Sequence, residues 1–294
     1  MLLGEHAVLH GRRALVCAID KRITVQLFQT LEKTVRILSD LGSYEAPLAG
    51  LTDHPDFRFV LDAVRQYPLE QGIELKIESE FSSDIGFGSS AAVTVATHAA
   101  LMQLVGTSRR DVRGPLGERS LPLEELFKRS LATIHRVQGR GSGADVAASV
   151  FGGVVAYRAE PLEIKPLKQT FPLTAVYSGS KMKTADVIRL AEERRALNAD
   201  YFERIFDRMD ASVGEVMDDF SQLSRLLILN QKLMEEMGLC NAALAEIIEE
   251  FQTLKVPAKI SGSGLGDCAI GLGEIPKVGR FQTYNLQVDP DGVL

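Results

Sequence analysis

Gly86-Phe87-Gly88-Ser89-Ser90-Ala91-Ala92 combines two glycines, two hydroxyls and the start of an Ala-rich run that continues through Met102. Ala-rich sequence favours helix, so the stretch reads as a glycine turn opening onto a helix N-terminus. At such a junction the backbone can approach a ligand closely, and the first-turn N–H groups and serine hydroxyls favour negative charge. Gly86, Phe87, Gly88, Ser89, Ser90 and Ala91 are therefore a candidate cradle for a phosphate chain. The structural alternative is a serine N-cap with two incidental glycines; the stretch alone leaves both open. A Walker A loop is excluded, because no Gly-Lys-Ser/Thr follows at the required spacing.

Four further stretches carry residues of chemical interest. Gly4-Glu5-His6-Ala7-Val8-Leu9-His10-Gly11 sets an acid and a histidine in a turn after an apolar strand. Gly139-Arg140-Gly141-Ser142-Gly143-Ala144-Asp145 places three glycines just ahead of an acid that opens another Ala-rich helix; taken alone, Asp145 serves as a helix start. Ser178 to Val187 forms a loop leading into a helix, with Thr184 as its N-cap. Ser261-Gly262-Ser263-Gly264-Leu265-Gly266-Asp267 is a glycine-dense turn between two apolar runs.

This ordered set, from Gly4 to Cys268, resembles the motifs of the GHMP small-molecule kinases, and the first stretch is most similar to its form in the mevalonate-kinase branch. The resemblance implies an α/β (α+β) protein of two domains, with a ribosomal-S5-like amino-terminal half and a ferredoxin-like carboxy-terminal half. It implies transfer of the ATP γ-phosphoryl group to an alcohol, foremost the 5-hydroxyl of mevalonate. ATP phosphates would lie in the Gly86–Ala91 cradle and Ser90 would help place Mg2+. Asp145 would take or orient the hydroxyl proton, and Glu5, His6, Ser142 and Thr184 would form the acceptor end. The Gly262-Ser263-Gly264 loop would help close the site. His10 stays structural.

The chain also departs from the family pattern. The family's Pro-Gly-Lys, whose Lys helps polarise the phosphoryl group, would fall ahead of Met1, so an upstream strand bearing that Lys is expected. Where many members carry a Mg2+-binding Glu, this chain has Ile134 and His135. Leu265 and Asp267 stand where glycine is usual. The wording from Gln138 to Gly143 also resembles phosphomevalonate kinases, with Arg140, Lys181 and Lys183 as the basic residues an already phosphorylated acceptor would need. A sugar or homoserine acceptor, or a metabolite-binding protein without catalysis, remain the other readings.

The elements that must position these residues follow from periodicity. Ile23–Leu27 and Ala14–Ile19 read as strands, Asp56–Val64 as a helix, and Ile73–Ser79 as a half-buried strand delivering the chain to the cradle. Glu124–Arg136 has an amphipathic helical stripe. Gly106–Ser120, with four arginines among turn residues, reads as a surface loop. Phe151–Tyr157 and Leu173–Tyr177 read as strands, and Ala185–Leu254 as helical with a break at Gly238-Leu239-Cys240-Asn241. The polar stretch Ala159–Pro172 is the best boundary, giving domains of residues 1–170 and 171–294.

At 294 residues the chain has length for one large or two modest domains. A net charge of −6 argues against a nucleic-acid or acidic-membrane surface. Three scattered cysteines, Cys17, Cys240 and Cys268, read as reduced thiols, and no Cys/His spacing suits zinc. The apolar run from Ala91 to Val105 is too short and too polar for a membrane span. Together these lead to the expectation of a soluble cytoplasmic protein, and the resemblance adds a homodimer as a family-level expectation.

Overall fold

The computed structural model describes residues 1–82, 85–108 and 122–293. Along the chain come β1 (Ala14–Cys17), β2 (Ile23–Thr30), β3 (Thr34–Ser39), β4 (Gly42–Pro47), α1 (Arg58–Val64), β5 (Gly72–Ser79), α2 (Ser89–Ser108), α3 (Leu123–Gln138) and α4 (Ala144–Phe151). The rest follows as β6 (Val154–Arg158), β7 (Glu163–Leu167), β8 (Pro172–Tyr177), α5 (Thr184–Leu197), α6 (Ala199–Asp218), α7 (Leu223–Glu236), α8 (Ala242–Thr253), β9 (Ala258–Ser261), β10 (Cys268–Leu272) and β11 (Gln282–Gln287).

Contacts divide the chain into two compact units. One comprises Met1–Asp20, the loop ending at Phe87, and Phe151–Gly292; the other comprises Lys21–Ser82 and Gly88–Val150. The sequence-based division near residue 170 is continuous, whereas this one groups the first twenty residues with the carboxy-terminal part. The reason is pairing: β1 lies antiparallel to β6, which carries β7 on its other side. The stretch expected to be a boundary thus contributes a strand.

The second unit is a mixed sheet in the order β2-β5-β3-β4, with β3 parallel to β5. Val35, Ile37, Ile73 and Leu75 alternate onto one face, where they pack with Phe57, Val60, Leu61 and Val64 around α1 and Leu101 of α2. Helix α2 buries polar groups as well. Thr94 and Thr97 return their hydroxyls to the carbonyls of Ser90 and Val93, at 2.6 and 2.7 Å. His98 is fully buried between Tyr67 Oη and Thr133 Oγ1, each 2.9 Å from a ring nitrogen. Thr133 Oγ1 already accepts from Gln66 Nε2 at 2.7 Å and Arg136 Nη2 at 3.2 Å.

The first unit holds the β1-β6-β7 sheet and a four-stranded antiparallel sheet in the order β11-β8-β10-β9. Two apolar clusters fill it. One joins Phe202, Phe206 and Met209 of α6 to Phe251 of α8 and Ile260 of β9; the other joins Leu2, Leu3 and Leu15 to Leu226 and Leu227 of α7. The helical region from 185 to 254 has its expected break after Met237, and further breaks at Asn198 and around Asp219. At Asp219 the carboxylate accepts from Ser221 N at 3.0 Å and opens a short 3-10 turn.

The apolar strand expected ahead of the Gly4 turn is cut to a single bridge. Only Leu3 bridges Leu15, and Ala7–His10 forms a 3-10 turn. The cause is local: Gly4 and His6 both take positive φ, which ends extended pairing after one bridge. His10 is structural, stacked on Phe206 at 4.6 Å and paired with Glu192 at 2.9 Å. Cys17, Cys240 and Cys268 are free thiols. The arginine-rich stretch read as a surface loop lies mostly outside the described residues, and α2 extends into its first part. Among the described residues no helix is long and apolar enough to cross a membrane.

Candidate active site

The cradle forms as its composition requires. Gly86 and Gly88 have φ of 84° and 79°, in the region that favours glycine, and α2 begins at Ser89 directly after them. The first intrahelical bond runs from Ala92 N to Gly88 O at 3.1 Å, so the N–H groups ahead of it have no helical carbonyl to bond. Ser89 and Ser90 are half-buried in this first turn.

Asp145 meets the cradle. It is exposed in the first turn of α4, and a Cβ built on Gly88 would lie 3.8 and 3.9 Å from Asp145 Cβ and Cγ. An acid 57 positions away in sequence is thus brought to the glycine that opens the helix. Ser142 accepts from Ala144 N at 3.3 Å, bracing the turn before α4. His135 gives Nε2–H to the Gly141 carbonyl at 2.9 Å, and Ile134 is buried; neither offers a carboxylate at the α3 position named above.

A second constellation surrounds Glu5 and His6. Glu5 is buried, with Oε1 paired to Lys259 Nζ and Oε2 accepting from Asn230 Nδ2 at 3.0 Å. Its carboxylate is committed inside the protein, so any part it plays toward an acceptor is through the shape of the turn. His6, with φ of 60°, is buried and bonds Ser263 O through Nε2 at 2.8 Å. Burial lowers the His6 pKa from its ordinary value, opposed by that backbone bond and by Glu5. The ring is therefore favoured as neutral at pH 7.

Ser263 belongs to the glycine loop between β9 and β10, where Gly262 and Gly264 take φ of 86°. Leu265 and Asp267 adopt φ of 59° although they carry side chains, a conformation costing about 1–2 kcal/mol each. The loop is tied down by Asp267 N to Ser180 O at 2.8 Å, Ser178 N to Asp267 O at 2.9 Å and Leu265 N to Leu239 O at 2.8 Å. Among the described residues Asp267 Oδ1 is buried without a hydrogen-bond partner, and burial raises its pKa while Lys181 partly offsets the rise. A Cβ on Gly86 would come within 2.9 Å of this side chain, so the foot of the cradle and the glycine loop fit closely. Cys268 Sγ donates to Ile85 O at 3.1 Å, its thiol pushed up to about 12 by burial.

Thr184 is exposed as the first residue of α5, and the N-cap position is Lys183, which makes no side-chain cap bond. The expected capping role therefore shifts by one residue and is not filled. Lys181 and Lys183 are exposed in the same loop.

Two sequence profiles match: one described as GHMP kinases N terminal domain over residues 57–153, the other as GHMP kinases C terminal over residues 210–279. The mevalonate kinase of Archaeoglobus fulgidus is 34% identical over 284 residues, covering 94% of this chain and 91% of that protein. The chain belongs to the GHMP kinase family.

Solved structures agree on the fold of this GHMP kinase. The Methanococcus jannaschii mevalonate kinase superposes with a TM-score of 0.80 at 21% identity, covering 98% of this chain and 95% of that one. L. major mevalonate kinase in complex with R-mevalonate gives 0.77 at 21% identity, covering 99% and 94%. The expected two-domain GHMP kinase architecture of mixed helices and sheets is thus borne out. Reading the sequence of this kinase missed Lys259 altogether. A lysine inside the apolar run Ala258-Lys259-Ile260, just before a glycine loop, was the available signal.

Proposed function

We propose that this GHMP kinase transfers the γ-phosphoryl group of ATP to the 5-hydroxyl of mevalonate. The observation that carries the reading is the approach of Asp145 to Gly88, which sets a proton acceptor beside a phosphate cradle. The acceptor is supported by the likeness over 94% of the chain to a mevalonate kinase.

In this reading the N–H groups at the start of α2, with Gly86, Phe87, Gly88 and Ala91 shaping the backbone and Ser89 and Ser90 adding hydroxyls, hold the phosphates. Asp145 accepts the proton of the attacking hydroxyl as the new O–P bond forms. Ser142 keeps the Asp145 turn in place, His6 and Thr184 face the acceptor, Glu5 fixes the His6 turn, and Gly262-Ser263-Gly264 close the site.

Mg2+ is commonly held by one or two carboxylates together with nucleotide phosphates. The Ser90 hydroxyl in the first turn of α2 suits a place beside those phosphates; the ion, when bound, would neutralise charge on the transferring group. The protein would act in the cytoplasm, and a homodimer is its expected assembly.

The test is ATP consumption by the purified chain with mevalonate, phosphomevalonate, homoserine and galactose in parallel. Turnover with mevalonate above the other three is expected. Turnover with phosphomevalonate, lost on Arg140→Ala, would replace the acceptor; ATP binding without turnover of any would replace the kinase reading by a binding role.

A further inference from the structure

We propose that Lys259 is a positioning residue for the reaction: its ammonium holds Glu5, and through Glu5 it pins the His6 turn to the Ser263 carbonyl of the glycine loop. The inference rests on the reading of His6 as an acceptor-site residue.

Lys259 is fully buried on β9, flanked by the core residues Ala258 and Ile260. A buried ammonium is costly unless paired and hydrogen-bonded, and an apolar side chain of similar volume would serve the core at least as well. Packing alone therefore does not account for a lysine here. Its Nζ donates to Glu5 Oε1 and to the Ile260 carbonyl.

The ion pair is the centre of a clamp built from two consecutive residues of α7. Asn230 donates to Glu5 Oε2 and accepts from Gly4 N at 3.3 Å, so it grips the turn at two successive residues. Gln231 accepts from Ile260 N at 2.8 Å and fixes the strand that carries Lys259. The turn held in this way includes His6 in a backbone conformation disfavoured for any residue with a side chain. Such a conformation persists only where its surroundings over-determine it, and it clusters at functional sites.

The clamp has a chemical consequence for the ring. A carbonyl oxygen only accepts, so His6 Nε2 must donate to Ser263 O, and in the neutral ring the lone pair lies on Nδ1. An imidazole fixed in this tautomer can accept a hydrogen bond from a hydroxyl of a small alcohol. Lys259, which need not touch substrate, sets that orientation through Glu5.

The experiment records ring-nitrogen NMR of the whole protein, with His6 assigned by its loss in His6→Asn, together with KM for mevalonate and for ATP. Wild type is compared with Lys259→Met and with the charge-free pair Glu5→Gln/Lys259→Met, in which Gln still offers an oxygen to Asn230. The double variant is expected to unfold cooperatively and to lose the single Nε2–H signature of His6, while the His98 signature stays as in wild type. Its KM for mevalonate should rise about 10–10²-fold, the scale of a small misplacement in a site, with KM for ATP unchanged.

Retention of both the His6 signature and the mevalonate KM in the double variant would overturn the proposal. So would a change in only one of them, since the route runs through His6. Failure of both variants to fold would make Lys259 a general folding element and would also overturn it. Should no acceptor be turned over, the functional reading fails, while the nitrogen signature still decides whether Lys259 sets the turn.

Discussion

Two buried histidines are held in opposite ways. His98 sits between two hydroxyls, those of Tyr67 and Thr133, and Thr133 also takes hydrogen bonds from the Gln66 amide and the Arg136 guanidinium. His6 sits on a strained turn beside a buried ion pair, where the Ser263 carbonyl fixes Nε2 as the donor. The first arrangement joins elements of an unstrained helical layer. The second uses charge at high desolvation cost to hold backbone that would not hold itself, and that expense marks the place where geometry matters to function.

The largest break in this comparison is Lys259→Met, which leaves Glu5 buried without its partner. A loss of about 3–5 kcal/mol is expected for breaking such a pair, measured by denaturant unfolding. Removing both charges with Glu5→Gln/Lys259→Met should recover much of it, because an uncharged pair pays no ionic desolvation.

Acid should reach the His98 network next. Burial lowers the His98 pKa from 6.5 to about 4, so the folded state resists taking up a proton that the unfolded chain accepts. Stability is then full above about pH 6.5 and falls as the pH drops toward 4. At 1.36 kcal/mol per pKa unit the loss is about 3 kcal/mol. His6 shifts in the same direction by burial, so unfolding measured across this window should be steeper in wild type than in His98→Gln.

Thr133→Val sharpens the contrast further. It strips His98, Gln66 and Arg136 of a shared partner and should cost about 1–3 kcal/mol. KM for mevalonate should stay unchanged, whereas the Lys259 variants raise it. The smallest effect belongs to Asp267→Gly. It relieves a positive φ and a buried oxygen without a partner among the described residues, and after the backbone entropy of glycine a net gain of about 1 kcal/mol is expected.

Local pattern carried much of the fold. The apolar stripe of α3, the alternation of β5 and the strands at β6 and β8 all announce themselves in their own residues, and the structure places them there. The cradle was legible for the same reason, since glycines and a helix start are neighbours in sequence. What escaped depends on distant partners. The turn at Gly4 was legible, but nothing in Met1–Leu3 says that the strand before it shortens to a single bridge, or in His6 that it joins Gly4 at positive φ. Lys259 and Glu5 lie 254 positions apart, so neither residue alone reveals a buried pair. The continuous boundary near residue 170 failed to foresee β1 pairing with β6 because that pairing returns the chain's beginning to its later part.

The central claim is that Asp145, brought to the cradle by the glycine turns around it, handles the proton of the acceptor hydroxyl. Steady-state phosphorylation of mevalonate by wild type and Asp145→Asn tests it most directly. The account expects kcat to fall about 10²–10⁴-fold in the variant, with ATP still bound and the fold retained; undiminished turnover by Asp145→Asn would contradict it.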